Sequence, residues 1–188
     1  AADVLNPDGK VVQQPSTHFL NENFAKAFNV KFKDKDETEK YCHITCYGPA
    51  ISRIFASIIA VHGDDKGLRF PWKIAPIQVI IVPITNDKQI ISEAEKIKSE
   101  LQEKGISCRI DAREERIGEK FYFWEMKGVP LRIELGKKEI QDKKLTIYRR
   151  DTDNKETISR GKLLDFIETT SKEIDKNLIK QADNLFKN

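Results

Sequence analysis

The chain has 188 residues, of which 39% are apolar and 34% charged, with a net charge of +3 at pH 7. That balance is too apolar for disorder and too charged for a membrane protein, and the length suits one ordinary domain or one domain and part of another. No apolar run nears the roughly 20 residues that span a bilayer, the polar start at Ala1–Lys10 is no secretory signal, and three cysteines exclude a fully paired disulfide framework and favour a reducing compartment.

In chain order, Asn6-Pro7-Asp8-Gly9 reads as a turn, because Pro presets φ and Gly accepts positive φ, so short strands should flank it. Val30–Lys33 and Tyr41–Tyr47 read as strands joined across the charged turn Asp34–Lys40. Ser52–Val61 is apolar nearly all round, which predicts a buried helix capped by Ser52. Gly67–Pro76 holds two prolines and no period, and reads as a connector.

Beyond the connector the pattern alternates β and α. Ile77–Ile84 is a near-continuous apolar run, as expected of a central strand covered on both faces. A helix follows, with Ser92 and Glu95 as its capping box, Ala94, Ile97 and Leu101 as its apolar stripe, and Gly105 as its stop. Ile106–Ile110 is the next strand, and Ile117, Phe121 and Trp124 lie on one helical face closed by Gly128 and Pro130. Leu131–Leu135 alternates as a half-buried strand paired with Leu145–Arg149. Ser159–Lys187 reads as one or two amphipathic helices with Ile174, Leu178, Ala182 and Leu185 inward. The expectation is α/β: a mixed sheet of four or five strands with helices on its faces, preceded by antiparallel strands and a helix.

Few residues carry chemistry by themselves. Cys42 and Cys46, with His43 between them, are four apart on an expected strand, which separates them by about 13 Å, too far to share one zinc. They read as buried small apolar residues, and no metal site is expected. His62–Gly67 reads as a helix stop and a tight turn. Arg53 opens an apolar helix behind the small-residue stretch Gly48–Ile51, a position from which a guanidinium can meet a phosphate. Between Arg109 and Arg150 stand 12 basic and 8 acidic residues, a local surplus that is a footprint for nucleic acid.

Longer motifs carry more. HGDDKGL at His62–Leu68 with KIAPIQVIIVPI at Lys73–Ile84 closely resembles the junction between catalytic and anticodon-binding domains in prolyl-tRNA synthetases of the archaeal and eukaryotic type. REERIGEKFYFWEMKGVPLRIELGKKE at Arg113–Glu139 resembles the anticodon-binding core of the same family. QQPSTHFLNENFAKAFNVKF at Gln13–Phe32 is similar to its Q-x-x-T-S-H-x-L-G-Q-N-F segment, and TCYGPAISR at Thr45–Arg53 to class II motif 3. Departures are visible: Pro15-Ser16-Thr17-His18 stands for G-T-S-H, and Leu20-Asn21-Glu22-Asn23 for L-G-Q-N.

The resemblance implies a class II catalytic end over residues 1–72, an anticodon-binding domain over 73–170, and the start of a C-terminal extension over 171–188. It implies that Gln13, Ser16 and Arg53 meet ATP, with Arg53 also the catalytic arginine, and that His18 and Gly48 line a proline pocket. Arg116 and Lys138 would contact the anticodon, supported by Arg113 and Lys120. ATP with Mg²⁺, proline and the proline tRNA are the implied ligands, with no zinc in this chain, no DNA and no membrane. The full enzyme would be a cytoplasmic homodimer. Motifs 1 and 2 have no counterpart here, so the expectation is a piece of a longer ligase, inactive alone. The competing expectation is a non-catalytic tRNA-binding paralogue or accessory subunit.

Overall fold

A computed structural model describes residues 1–187, with only the backbone at Phe186. It divides into two units, Ala1–Val61 and His62 onward.

The first unit is built from two-stranded antiparallel pairs. β1 (Asp3–Leu5) and β2 (Val11–Gln13) flank the Asn6–Gly9 turn, which closes through Gly9 N–H to the Asn6 carbonyl at 2.9 Å. β3 (Ser16–Asn21) pairs with β6 (Ile44–Gly48), and β4 (Lys31–Lys33) with β5 (Glu39–Tyr41) across the charged turn; α1 (Asn23–Ala27) links β3 to β4. The strand expected over Tyr41–Tyr47 is therefore two strands in two sheets. The chain leaves β4 at Tyr41 and joins β3 at Ile44, and one unbroken strand could not serve both partners. Cys42 is half-buried and Cys46 exposed, rather than both packed away.

α2 (Ile51–His62) is the expected apolar helix, but it begins at Ile51, so Ser52 lies inside it rather than capping it. Nor is it buried: Ile51 is 74% and Phe55 47% exposed, and within the helix only Ser57 is buried.

The second unit is one five-stranded mixed sheet in the order β11-β10-β9-β7-β8. Its strands are β7 (Val79–Pro83), β8 (Cys108–Ile110), β9 (Leu131–Leu135), β10 (Lys144–Arg149) and β11 (Lys155–Ser159). β7 runs parallel to β8 and β9, while β9, β10 and β11 pair antiparallel. The helices are α3 (Lys88–Glu103), α4 (Ile117–Met126), α5 (Lys137–Gln141) and α6 (Leu163–Lys187). Alternate residues of β7 serve opposite faces. Val79 and Ile81 join Ile90, Ala94, Ile97 and Leu101 of α3 and Leu163, Ile167, Ile174 and Leu178 of α6 in the main core. Ile80 and Val82 meet Phe121 and Trp124 of α4 on the other face.

Several local features differ from expectation. α3 starts a full turn early, because Asp87 caps it by accepting from Gln89 N–H at 3.1 Å; Ser92 and Glu95 lie within the helix. β9 is buried along its whole length rather than on one face. Arg132 escapes the cost of burial by lying between the rings of Phe121 and Tyr148, 3.9 and 4.2 Å from their centroids, and by pairing with Glu125 at 2.7 Å and Glu134 at 3.0 Å. α6 runs unbroken through the position expected to begin an extension at 171, and Ile174 and Leu178 are core residues; Asn188 lies outside the described residues.

The units part after Val61, ahead of the boundary expected after residue 72, because residues 64–70 belong structurally with α4 and β9. Leu68 N–H donates to the Met126 carbonyl at 3.1 Å and Phe70 N–H to that of Gly128 at 3.3 Å. The backbones approach so closely that only glycine fits on each side: a Cβ on Gly67 would stand 2.5 Å from Met126 Cα, and one on Gly128 2.6 Å from Leu68 Cβ. Both glycines have positive φ, 126° and 72°. Asp64 completes the join, pairing with the buried Arg150 through both carboxylate oxygens and with Arg69 at 2.6 Å.

Two stability predictions follow from this junction. Gly128→Ala should cost about 2–4 kcal/mol, from left-handed backbone plus the steric clash. Gly105→Ala, with φ of 74° and no atom within 4 Å of the added Cβ, should cost only about 1–2 kcal/mol. Equal shifts in the urea midpoint would show that the close approach contributes nothing. Hydrogen bonding from Arg150 holds the Asp64 carboxyl at about 2, below its ordinary 3.8. The ionised carboxylate thus stabilises the fold above pH 3.8, and that contribution disappears as pH falls through about 2. Asp64→Asn should therefore lower stability at pH 7 by about 2 kcal/mol, a deficit that closes near pH 2. Urea titrations at pH 7 and 2 check this, and a deficit constant with pH would contradict it.

Candidate functional site

Two groups of side chains are candidates, one in each unit. In the first, Arg53 at the start of α2 donates from Nη1 to the Gln13 carbonyl at the end of β2, 3.0 Å away. The next residue repeats the link: buried Gln14 donates from Nε2 to Ser57 Oγ at 2.8 Å. These contacts fix the first two turns of the helix to the strand. They use one of the five guanidinium N–H groups of Arg53, and among the described residues no carboxylate pairs with it.

Ser16 and His18 are two apart on β3 and share a face, with Ser16 Oγ and His18 Nε2 2.8 Å apart. Gly48 on β6 stands opposite Ser16, and a Cβ there would lie 3.6 Å from Ser16 Oγ. A side chain at this position would sit in ordinary van der Waals contact with Ser16. The structure brings together Ser16, His18 and Gly48 by strand pairing, and Gln13 and Arg53 by a hydrogen bond.

In the second unit, parallel pairing puts the C-terminal ends of β7, β8 and β9 at one edge of the sheet, where open α/β sheets bind ligands. The three following loops are tied together. Asn86 Nδ2 donates to the Ala112 carbonyl at 3.4 Å, and Lys137 pairs with Asp87 at 3.2 Å. Asp111, directly after β8, organises the middle loop. Its carboxylate accepts from Arg113 Nε at 2.8 Å, Arg113 Nη2 at 2.7 Å and Trp124 Nε1 at 2.7 Å. Burial pushes this carboxyl up, but the Arg113 and Trp124 hydrogen bonds outweigh burial and hold it at about 2.

Arg116 immediately precedes α4 and Lys138 lies in α5 after β9, both exposed at this edge. Arg113 is also exposed, but its guanidinium is shared between Asp111 and Glu115. The structure does not bring Lys120 to the surface: it is 2% exposed, with Nζ 3.4 Å from the Asp111 carbonyl. Sequence reasoning passed over Asp111 and read Trp124 only as part of an apolar helix face, missing their pairing across 13 residues. Their only sequence signal was an acidic residue two places before Arg113. Among the described residues no group of three or more His, Cys, Asp and Glu could hold a metal ion, and no helix is long and apolar enough to cross a membrane.

Residues 78–170 match the family model of an anticodon binding domain. A proline–tRNA ligase of Thermofilum pendens is 45% identical over 191 residues, covering 99% of this chain and 40% of its own length. One from Methanococcoides burtonii is 40% identical, covering 97% and 38%. Among solved structures, prolyl-tRNA synthetase of Cryptosporidium parvum, complexed with L-proline and AMP, superposes with a TM-score of 0.88 at 32% identity over 97% of this chain and 38% of that one. The chain spans about two fifths of the relatives it matches. Both units lie inside the region similar to prolyl-tRNA synthetases, and residues 78–170 match an anticodon binding domain.

Proposed function

We propose that this chain is part of a proline–tRNA ligase, in which the edge after β7, β8 and β9 reads the anticodon and the first unit contributes to the site for ATP and proline. The observation that supports it best is the convergence of Arg116 and Lys138 on one edge of the matched domain, from different loops that ion pairs and hydrogen bonds hold in register. Exposed basic side chains on fixed loops suit unstacked RNA bases, which present their edges for hydrogen bonding.

In the first unit, the ligase reaction would proceed by attack of the proline carboxylate on the ATP α-phosphate, expelling pyrophosphate to leave a prolyl-adenylate, and then by attack of a tRNA hydroxyl on the prolyl carbonyl, releasing AMP. Negative charge grows on the phosphate in the first step, and Arg53, pinned by the Gln13 carbonyl and unpaired with carboxylate, would stabilise it. Gln13 and Ser16 would meet the nucleotide, while His18 and Gly48 would line the proline site. The Mg²⁺ expected with ATP finds no carboxylate cluster among the described residues, so no step is assigned to it. A cytoplasmic homodimer remains the expectation for the whole enzyme. The accessory-subunit alternative is not favoured, because similarity to the ligases extends over the first unit as well.

In the full-length ligase, Arg53→Ala should slow proline-dependent pyrophosphate exchange by a factor on the order of 10²–10³; an unchanged rate would remove Arg53 from the site. For the RNA edge, Arg116→Ala or Lys138→Ala should cost about 1–3 kcal/mol of binding to tRNA bearing a proline anticodon, with a smaller loss on an anticodon-swapped transcript. Equal wild-type affinity for the two transcripts would sink the anticodon assignment.

A further inference from the structure

The second unit carries a cavity of about 340 Å³ that the proposed anticodon edge does not use. Its walls are apolar and aromatic: Leu68, Phe70, Ile77, Phe123, Trp124 and Val129. Trp124 offers no donor to it, because the indole N–H is committed to Asp111 at 2.7 Å. The cavity therefore supplies contact area without hydrogen-bond readout. Pro76 and two cations, Arg109 and Lys127, complete its lining, and among the described residues neither cation has a carboxylate within ion-pair distance. Lys127 Nζ instead lies 5.6 Å from the Phe123 centroid.

Apolar walls that include the rings of Phe70, Phe123 and Trp124, beside two unpaired cations, fit a ligand with an apolar aromatic part and an adjacent anion. Phe123 also joins the cavity to the candidate RNA edge. The Arg113 guanidinium carbon lies 4.5 Å from the same ring, and Arg113 belongs to the loop that carries Arg116. Aromatic platforms beside backbone-binding cations hold single-stranded nucleic acid with little regard to sequence, because every base has a π face. We propose that this cavity takes the base of an unpaired tRNA loop nucleotide, with its phosphate on Arg109 and Lys127, as a sequence-tolerant anchor separate from anticodon reading. The inference rests on the reading that this unit binds tRNA.

The test is a titration of the 188-residue chain with a proline anticodon stem-loop, an anticodon-swapped stem-loop, and versions carrying one abasic loop nucleotide at a time, at two salt concentrations. Arg109→Ala and Lys127→Ala should each weaken both stem-loops by the same factor, roughly 5-fold, and flatten the salt dependence, leaving the matched-to-swapped ratio unchanged. Phe123→Ala should weaken both by roughly 5-fold to 50-fold and abolish the penalty of one abasic substitution outside the anticodon. Wild-type affinity in Arg109→Ala and Lys127→Ala overturns the anchor, while a ratio still eroded by Arg116→Ala keeps the anticodon reading. Equal wild-type binding of both stem-loops, with loss in Arg109→Ala, supports the anchor and removes the anticodon reading. No binding of either stem-loop removes both.

Discussion

The pairing of β7 with a parallel neighbour on each side is the constraint from which the second unit follows. A strand bonded on both edges and covered on both faces takes apolar residues unless a charge is paired, and Val79–Val82 are apolar and wholly buried. Parallel neighbours also require long crossovers, which α3 and α4 supply on opposite faces. The same pairing sends all three C-terminal strand ends to one edge. The basic residues of the candidate RNA surface are thus gathered by topology, although they lie far apart in sequence.

Polar groups finish what the apolar core begins. Asp111 converts the loop after β8 into a fixed support by binding Arg113 and Trp124 together. On the α4 face, Arg132 and Lys155 fill the space beside the small apolar patch, stacking on Phe121 and pairing with Glu134. Arg149 does the same for α6, joining Asp151 at 3.0 Å and Glu173 at 2.7 Å. Such buried pairs add modest net stability, because desolvation offsets most of the attraction, but removing one partner leaves an uncompensated charge. They act as register pins: each helix has one position in which its ion pairs close.

The two units treat their apolar residues differently. In the second, helices cover both sheet faces, whereas in the first Phe19, Tyr47 and Ile51 are largely exposed and the strands pair only in twos. The expectation of a buried α2 came from its composition, since a helix apolar all round normally lies within a core. Of the helix's residues only Ser57, which bonds to Gln14, is buried.

By itself the sequence determined many of the elements and their kind, though not β3, α1, α5 or β11. The β7 run, the Ala94–Ile97–Leu101 stripe, the Asn6–Gly9 turn and the Phe121–Trp124 face were all legible, because spacings of two, three and four residues are local and the backbone enforces them. The motifs around Gln13, Arg53 and Arg113 were legible for the same reason, being short and contiguous. Tertiary structure alone decided which partners those residues meet. It split Tyr41–Tyr47 between two sheets, buried Lys120 under Asp111, slotted Arg132 between two rings and left an aromatic cavity lined by Arg109 and Lys127. Each of these depends on chain segments returning to one another, as Arg150 returns to Asp64 across 86 residues. Such contacts are set by strand order and crossover packing, which local periodicity does not encode.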